Sequence, residues 1–451
     1  MKRATLLLAL AACTSPPADP TTTPPATCGN GMLDADETCD GAELDGLSCA
    51  ALGLGTGTLA CRADCRGFDD SGCVPDDGSG SGSGSGCTPT TCAAIGLSCG
   101  TASDGCGGTL ACGTCPQPPD PIVWTAIAAG GEHTCALRDD GSMWCFGRNN
   151  YKQLGAGGTP FGFDARPIRL ETANDWTAVA AGDAHACGLR TDGRAWCWGR
   201  GDSGQLGNGN LVTTATPVQF TEPQDYPYGE LSAGATHTCA LRDGGTTSSC
   251  AGMIAGGFPA STPAYMGVFL QTIGSGGDSA CGVTAAGVIR CELFEEALTT
   301  NSSQTWRSIE PGDAFWCALT ENNTLYCRGD GVWGQLGDGT SNSSATPRQV
   351  GPSIAWAQVS AGGRHACAIA TDSTLYCWGA NESGQLGDTT ITRRTSPSYV
   401  GTGWARVSAG RDHTCGIKLD GTLWCWGEGT YGRLGTSSTT DATRPTAVTV
   451  P

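Results

Sequence analysis

Charge is scarce in this chain. Only 15% of its residues are charged, acids outnumber bases 43 to 25, and no stretch gathers Lys and Arg into a patch. Nucleic acid, which needs a positive field to meet its phosphates, is therefore not an expected partner. A net charge of -18 mainly keeps a protein soluble. The apolar run "ATLLLALAA" at residues 4–12 is too short to span a bilayer. Histidine occurs only five times, and all five (His133, His185, His237, His365, His413) stand two residues before a cysteine of one repeated pattern. There is no nucleophile elbow, phosphate loop, His-Glu-x-x-His or Ser/His/Asp grouping, so an enzyme is not expected.

Glycine (70) and cysteine (27) are abundant instead. Glycine with Ser/Thr-rich turns favours many short strands over long helices, hence an all-β fold. So many cysteines belong to an oxidising compartment. The N-terminus agrees: Lys2 and Arg3 precede the short apolar run in the manner of a secretory signal. Leu10-Ala11-Ala12-Cys13 resembles the lipobox of bacterial lipoproteins, which implies cleavage before Cys13 and a diacylglycerol on its thiol. Thr14 after the anchor resembles outer-membrane sorting in Gram-negative bacteria, so an exported outer-membrane or cell-surface lipoprotein is expected, attached to the membrane through its lipid. Apart from Cys13 the cysteines fall into groups of six (28–73), six (87–115) and fourteen (135–425), all even, so every other thiol can pair.

Composition divides the chain. Residues 1–12 are the signal, and 13–27, rich in Pro and Thr, an extended tether. A cysteine-rich module at 28–73, a Gly/Ser linker at 74–86, a second cysteine-rich module at 87–115 and a Pro-rich link at 116–120 lead into residues 121–451. The first module, "CGNGMLDADETCDGAELDGLSCAALGLGTGTLACRADCRGFDDSGC", resembles cysteine-rich repeats of surface proteins from Gram-negative soil bacteria.

From 121 onward one pattern recurs seven times. It pairs Cys135 with Cys145, Cys187 with Cys197, Cys239 with Cys250, Cys281 with Cys291, Cys317 with Cys327, Cys367 with Cys377 and Cys415 with Cys425, ten apart except the third, which is eleven. In "CALRDDGSMWC" the turn signal Asp140-Gly141 lies midway, so a hairpin with a three-residue loop sets Cys135 opposite Cys145. Opposed Cα atoms lie about 4.5–5.5 Å apart, within reach of a disulfide. The extra residue of the third copy calls for a bulge or a longer turn. In the sixth copy His365, Cys367 and Ile369 share one strand face while Ala366, Ala368 and Ala370 take the other, and neither is polar. Such a sheet needs a neighbour on each side. Neither terminal copy carries a polar cap, which favours a closed ring of seven blades over an open solenoid.

The stretch "VSAGGRHACAIATDSTLYCWGANESGQLGD" is similar to the repeat of the regulator of chromosome condensation family, and the likeness covers about 330 of 451 residues. The resemblance implies a seven-bladed β-propeller, here preceded by the two small disulfide-rich modules. The family's founding member is a nuclear guanine-nucleotide exchange factor, but that activity rests on a basic surface and a cytosolic partner, neither of which suits this acidic, exported chain. Secreted relatives that inhibit β-lactamases imply that ring faces serve as binding surfaces. A non-catalytic surface lipoprotein that binds an unidentified protein partner, itself monomeric, is the expected role. An enzyme inhibitor, an exchange factor and a plain spacer are the rivals.

The exit loops after the second cysteine carry the candidate partner-binding residues Tyr151, Asp202, Trp333, Asn381, Glu382 and Tyr431, because aromatics on loop tips anchor partners. Asp34, Asp36, Glu37 and Asp40 gather hard oxygen ligands suited to calcium, although they do not match an EF-hand loop; no other cofactor is expected. "CRADC" and "CGTC" read as disulfide positions more readily than zinc sites outside the cell. The histidines read as structural hydrogen-bonding groups. Residues 239–312 lose Gly-Gln-Leu-Gly and part of the aromatic exit. If pairing is complete, full-length protein denatured in iodoacetamide without reductant keeps every cysteine of the three even groups unlabelled, as intact mass will report; several labels would remove the hairpin staples.

Overall fold

In a computed structural model the chain divides into two compact units, Met1–Asp120 and Pro121–Pro451. The described residues are 122–449, except 156–157, 160–161, 223–225, 246, 254–259, 266–268 and 292–303, together with short stretches of the first unit: 48–49, 56–61, 68–69, 71, 73–74, 91, 101–103 and 108–111. The expected lipid anchor at Cys13, the expected tether and the Asp34, Asp36, Glu37, Asp40 cluster lie outside them. In the first unit Thr56–Gly57 pairs with Cys73–Val74, Ala60–Cys61 with Phe68–Asp69, and Thr101–Ser103 with Thr109–Ala111. Cys49 is bonded to Cys73, a connection the spacing had left open.

The second unit is a seven-bladed β-propeller. Six blades are four-stranded antiparallel sheets; blade four shows three strands among the described residues. Blade one runs from the inner strand Trp124–Ala129 through His133–Arg138 and Met143–Arg148 to the outer Phe163–Arg169. The inner strands of the other blades are Trp176–Ala181, Tyr228–Ala233, Thr272–Gly276, Trp306–Pro311, Trp356–Ala361 and Trp404–Ala409. Each blade is one contiguous piece of chain. The ring closes by packing of blade seven on blade one and not by an exchanged strand, since Ala442–Ala447 pairs only within its own blade.

The hairpin geometry follows the sequence. Gly141, at φ 75°, closes a three-residue loop whose Gly141 N–H bonds the Arg138 carbonyl. Arg138 and Ser142, and Glu132 and Arg148, are hydrogen-bonded partners, so Cys135 and Cys145 fall by alternation at a non-hydrogen-bonded position, where strands approach most closely. These two cysteines are bonded, with Cα atoms 4.1 Å apart, closer than the spacing anticipated. The same bridge joins Cys187 to Cys197, Cys239 to Cys250 and Cys281 to Cys291, with Cα atoms 4.0 to 4.1 Å apart. It recurs from Cys317 to Cys327, from Cys367 to Cys377 and from Cys415 to Cys425, each at 4.1 Å, so all seven expected hairpin pairs are formed, each tighter than anticipated because each occupies the close position of its ladder. In blade three the pairing passes unbroken from His237 opposite Gly252, through Cys239 opposite Cys250, to Leu241 opposite Ser248, so the extra residue lengthens the turn and makes no bulge.

Seven apolar clusters fill the seven seams. Between blades five and six the bridge of Cys317 and Cys327, with Leu319 and Leu325, meets Trp356, Ala366, Ala368 and Trp378 of the next blade. Between six and seven the bridge of Cys367 and Cys377 meets Trp404 and Trp426. The staples therefore sit inside seams and not on an outer surface, covered by the following blade's tryptophans at five seams, by Tyr228 of blade three and by Leu270 and Ile273 of blade four at the other two. Fully burying one such large side chain stabilises by about 1.5–3 kcal/mol.

Polar groups inside the seams are matched blade to blade. The Gln153 carbonyl accepts Trp198 Nε1–H at 2.9 Å and the Gln335 carbonyl accepts Trp378 Nε1–H at 3.0 Å. At two seams a threonine that follows the histidine takes that carbonyl instead: Thr414 bonds Gln385 O at 2.8 Å and Thr134 bonds Arg433 O at 3.0 Å. Blade one then has Phe146 at the tryptophan position, whereas blade seven keeps Trp426 with an unbonded indole nitrogen. Trp426→Phe should therefore cost about 1 kcal/mol less stability than Trp198→Phe or Trp378→Phe, which each lose a buried hydrogen bond. Chemical denaturation of the three variants will compare them, and equal losses would remove this pairing rule.

Candidate functional site

One end of the ring is drawn shut by glycine. Gly130, Gly182, Gly234, Gly276, Gly312, Gly362 and Gly410 line one small cavity of about 80 Å³ on the axis. A Cβ on Gly130 would strike the Gly182 carbonyl oxygen and the His133 ring, and one on Gly410 would strike the Gly130 carbonyl oxygen and the His413 ring. Backbone bonds lace neighbouring blades here, as in Gly131 N–H to Gly182 O at 3.1 Å and Ala235 N–H to Gly277 O at 2.7 Å. The Ala-Gly-x-x-His motif is thus a device for narrowing the channel. So small a space does not hold a substrate. Among the described residues no three His, Cys, Asp or Glu side chains stand close enough to hold a metal ion.

The histidines brace this end. His185, His365 and His413 are fully buried, and each Nε2 meets a threonine hydroxyl of the following blade, Thr238, Thr414 and Thr134, at 2.8, 2.8 and 2.9 Å. His133 and His237 face Ala186 and Ala280 instead and find no hydroxyl. Blade five has Phe315 opposite Ala366, an apolar match. Burial holds these imidazoles neutral, with pKa lowered to about 4 for His133, His237 and His365 and to about 3 for His185.

Around the glycine ring lies the candidate binding face. At three seams an arginine of one blade stacks on an exit-loop aromatic of the blade before it. Arg200 lies 5.2 Å from the centroid of Tyr151, Arg364 lies 4.7 Å from Trp333, and Arg148 lies 4.8 Å from Tyr431. Each guanidinium also meets a carboxylate: Arg200 bonds Asp202 at 2.7 Å, Arg364 bonds Asp412 at 3.2 Å, and Arg148 pairs with Glu132. Tyr151 is 39% exposed and Phe163, beside Tyr431 at 6.3 Å, is 44% exposed. Further in, Arg411 pairs with Asp183, and the carboxyls of Asp183 and Asp313 are pushed up, chiefly by burial.

Of the sequence candidates, Tyr151, Trp333 and Tyr431 hold the stacked arginines, Asp202 steadies Arg200, and Glu382 is exposed. Asn381 is different: it is fully buried, its Nδ2 donating to Thr390 O and Thr392 O at 3.0 Å and its Oδ1 accepting Leu386 N–H at 3.0 Å. It serves its own loop and cannot touch a partner. The arginines were not found from sequence, because each stack joins residues of two different copies.

The channel itself carries two carboxyls. Glu230 accepts Ile273 N–H and Thr272 Oγ1–H of blade four at 3.3 Å. This repeats what Gln358 does for Val407 N–H of blade seven at 3.3 Å. Glu310, on the inner strand of blade five, is half-buried. Burial, with the nearby Glu230 charge added, raises Glu310 to about 8; burial raises Glu230 to about 7.

Residues 140–189, 192–241, 322–369, 372–417 and 420–451 match the regulator of chromosome condensation (RCC1) repeat, and a second model of the same repeat matches 124–153, 176–205, 356–385 and 404–433. The chain belongs to the RCC1 repeat family. Neither model matches blade four. The human probable E3 ubiquitin-protein ligase HERC6 is 26% identical over 268 residues, covering 57% of this chain and 23% of that protein. The ultraviolet-B receptor UVR8 of Arabidopsis thaliana is 24% identical over 281 residues, 54% of this chain and 63% of its own, and the mitochondrial RCC1 domain-containing protein RUG3 of the same plant is 29% identical over 120 residues, 27% of each. The chain thus spans less than two thirds of the length of each. The crystal structure of human WBSCR16 superposes with a TM-score of 0.59 at 20% identity, covering 67% of this chain and 88% of that one. The match establishes the fold without naming a partner.

Folded Glu310 keeps its proton to about pH 8, whereas an unfolded glutamate loses it near its ordinary value of 4.5. Its contribution to stability is full below that ordinary value and fades as pH rises through about 8. Glu310→Gln should therefore match the parent's melting temperature near pH 4.5 and exceed it at pH 8–9. A constant difference across that range, measured by scanning calorimetry, would mean that the carboxyl is not held protonated.

Proposed function

We propose that this protein is a non-catalytic binding platform whose partner, another protein, docks on the exit-loop face of the propeller. The observation that carries the reading is the threefold recurrence of arginine on an aromatic at the seams between blades five and six, seven and one, and one and two. Tyr, Trp and Arg are the side chains that most often anchor interfaces, since each offers a large surface together with hydrogen-bonding groups. Here stacking and ion pairing hold them in place beforehand, which lowers the entropy lost on docking.

We further propose that the platform is displayed at the cell surface through a lipid on Cys13, as the lipobox-like sequence and the unpaired count of that cysteine suggest. Seven paired hairpins suit an oxidising compartment and speak against exchange on a cytosolic GTPase. A catalytic role has no support in the small glycine-lined cavity on the axis.

Two measurements test this. Full-length protein with intact disulfides, photo-crosslinked to envelope and extracellular fractions, should yield one dominant partner joined through residues near Tyr151, Trp333 and Tyr431. The combined Tyr151→Ala, Trp333→Ala and Tyr431→Ala protein should capture at least about tenfold less. Crosslinks confined to the outer strands, or none above background, would favour a spacer. Cys13→Ser should move the chain from the membrane to the soluble fraction.

A further inference from the structure

Blades five and six share the Gly-Gln-Leu-Gly-Asp exit turn, and among their differences is one at the carboxylate that follows it. In blade six Arg394 Nε donates to Asp388 Oδ2 at 2.7 Å and Ser398 Oγ donates to the same oxygen at 3.2 Å. Covered in this way, the Asp388 side chain is only 4% exposed. The equivalent positions of blade five are fixed by strand register. Gly379 pairs with Arg394 as Gly329 pairs with Ser344, and Cys377 pairs with Ser398 as Cys327 pairs with Arg348. Asp338 corresponds to Asp388, each directly following the Gly-Gln-Leu-Gly turn.

Blade five therefore keeps the carboxylate and lacks its arginine. Asp338 Oδ1 accepts Thr340 N–H at 2.9 Å and Thr340 Oγ1–H at 2.8 Å, while Oδ2, the oxygen that Arg394 takes in blade six, receives neither arginine nor hydroxyl. A cavity of about 320 Å³ opens there, bordered by Asp338, Thr340, Ser343, Arg348 and Gln349. That is near the lower end of small-molecule pockets, which begin at about 300 Å³. Arg348 Nε donates to Ser344 Oγ at 3.0 Å, which turns its guanidinium along the same cavity with both terminal nitrogens free.

A lone cation entering this space would be repelled by Arg348, and a lone anion by Asp338. Both walls are satisfied by a molecule that carries a cation for one and an anion for the other. We propose that this cavity binds a guanidino amino acid with a free carboxylate, its guanidinium taking the place that Arg394 fills in blade six and its carboxylate meeting Arg348. Planar, bidentate geometry suits a guanidinium on a carboxylate better than a point-charge ammonium does. Free arginine and the C-terminal arginine of a peptide share this chemistry.

Full-length protein with disulfides formed is titrated calorimetrically with L-arginine, with Gly-Gly-Arg and with agmatine, which lacks the carboxylate. Saturable one-site binding of L-arginine or Gly-Gly-Arg is expected, the tighter of the two identifying the source, with agmatine at least about tenfold weaker. Asp338→Asn should abolish binding, and Ser344→Arg, which rebuilds the self-filled arrangement of blade six, should do the same. Arg348→Ala should bring agmatine and L-arginine to similar affinities. Absence of saturation by both carboxylate probes, binding unchanged in Asp338→Asn or Ser344→Arg, or agmatine equal to L-arginine on the parent protein would each overturn the assignment. Calorimetric melting of each variant checks that the ring is intact, and Asp338→Asn decides if Ser344→Arg does not fold. The titration requires no protein partner, so its outcome is independent of the platform reading.

Discussion

Every blade of this propeller is apolar on both faces and has to be covered twice. A single sheet of this kind would expose Cys367, Ile369 and Leu375 on one side and Ala366, Ala368 and Trp378 on the other, all buried in the ring. Only neighbours on both sides remove that surface from water, and with seven copies the last neighbour is the first blade. The seam is consequently the unit of stability. It gathers a disulfide and apolar side chains of one hairpin against apolar side chains of the next blade, so cross-linking and burial act in the same place.

Closing the ring also dictates where polar groups go. The carbonyls of Gln153, Gln335, Gln385 and Arg433, all in exit turns, end inside seams, and each takes one donor from an indole or from a threonine. The imidazoles under the glycine ring answer the same demand where a threonine faces them. Motifs that read as candidate chemistry, the histidines and Gly-Gln-Leu-Gly above all, are thereby absorbed by packing. Not absorbed by packing are the rim, where arginines and aromatics of adjacent blades meet, and the turn of blade five, where the carboxylate lacks the arginine that blade six supplies.

Family membership and function separate at this point. RCC1 repeats account for the ring, whereas a function has to be argued from the side chains set upon it. Blade four, unmatched by the repeat models, still supplies an inner strand, a hairpin stapled by Cys281 and Cys291, and one wall for Glu230, so the ring tolerates wide divergence provided that both its faces are covered.

The all-β class, the seven copies, the facing cysteines and the closed ring were legible in the residues, because a period of two along a strand and a ten-residue hairpin spacing are local geometry. Tyr151, Trp333 and Tyr431 were legible as loop aromatics for the same reason. Asn381 was misplaced on the surface, since its side chain turns inward to carbonyls nine and eleven residues on, a loop closure that no short pattern records. The stacks of Arg148, Arg200 and Arg364, the packing of each disulfide beneath apolar side chains of the next blade and the open cavity at Asp338 join residues of different strands or blades, and so were decided only when the ring brought them together. Sequence alone determined each blade; the contacts between blades, where the seams and the arginine stacks form, depend on distances that only tertiary packing sets.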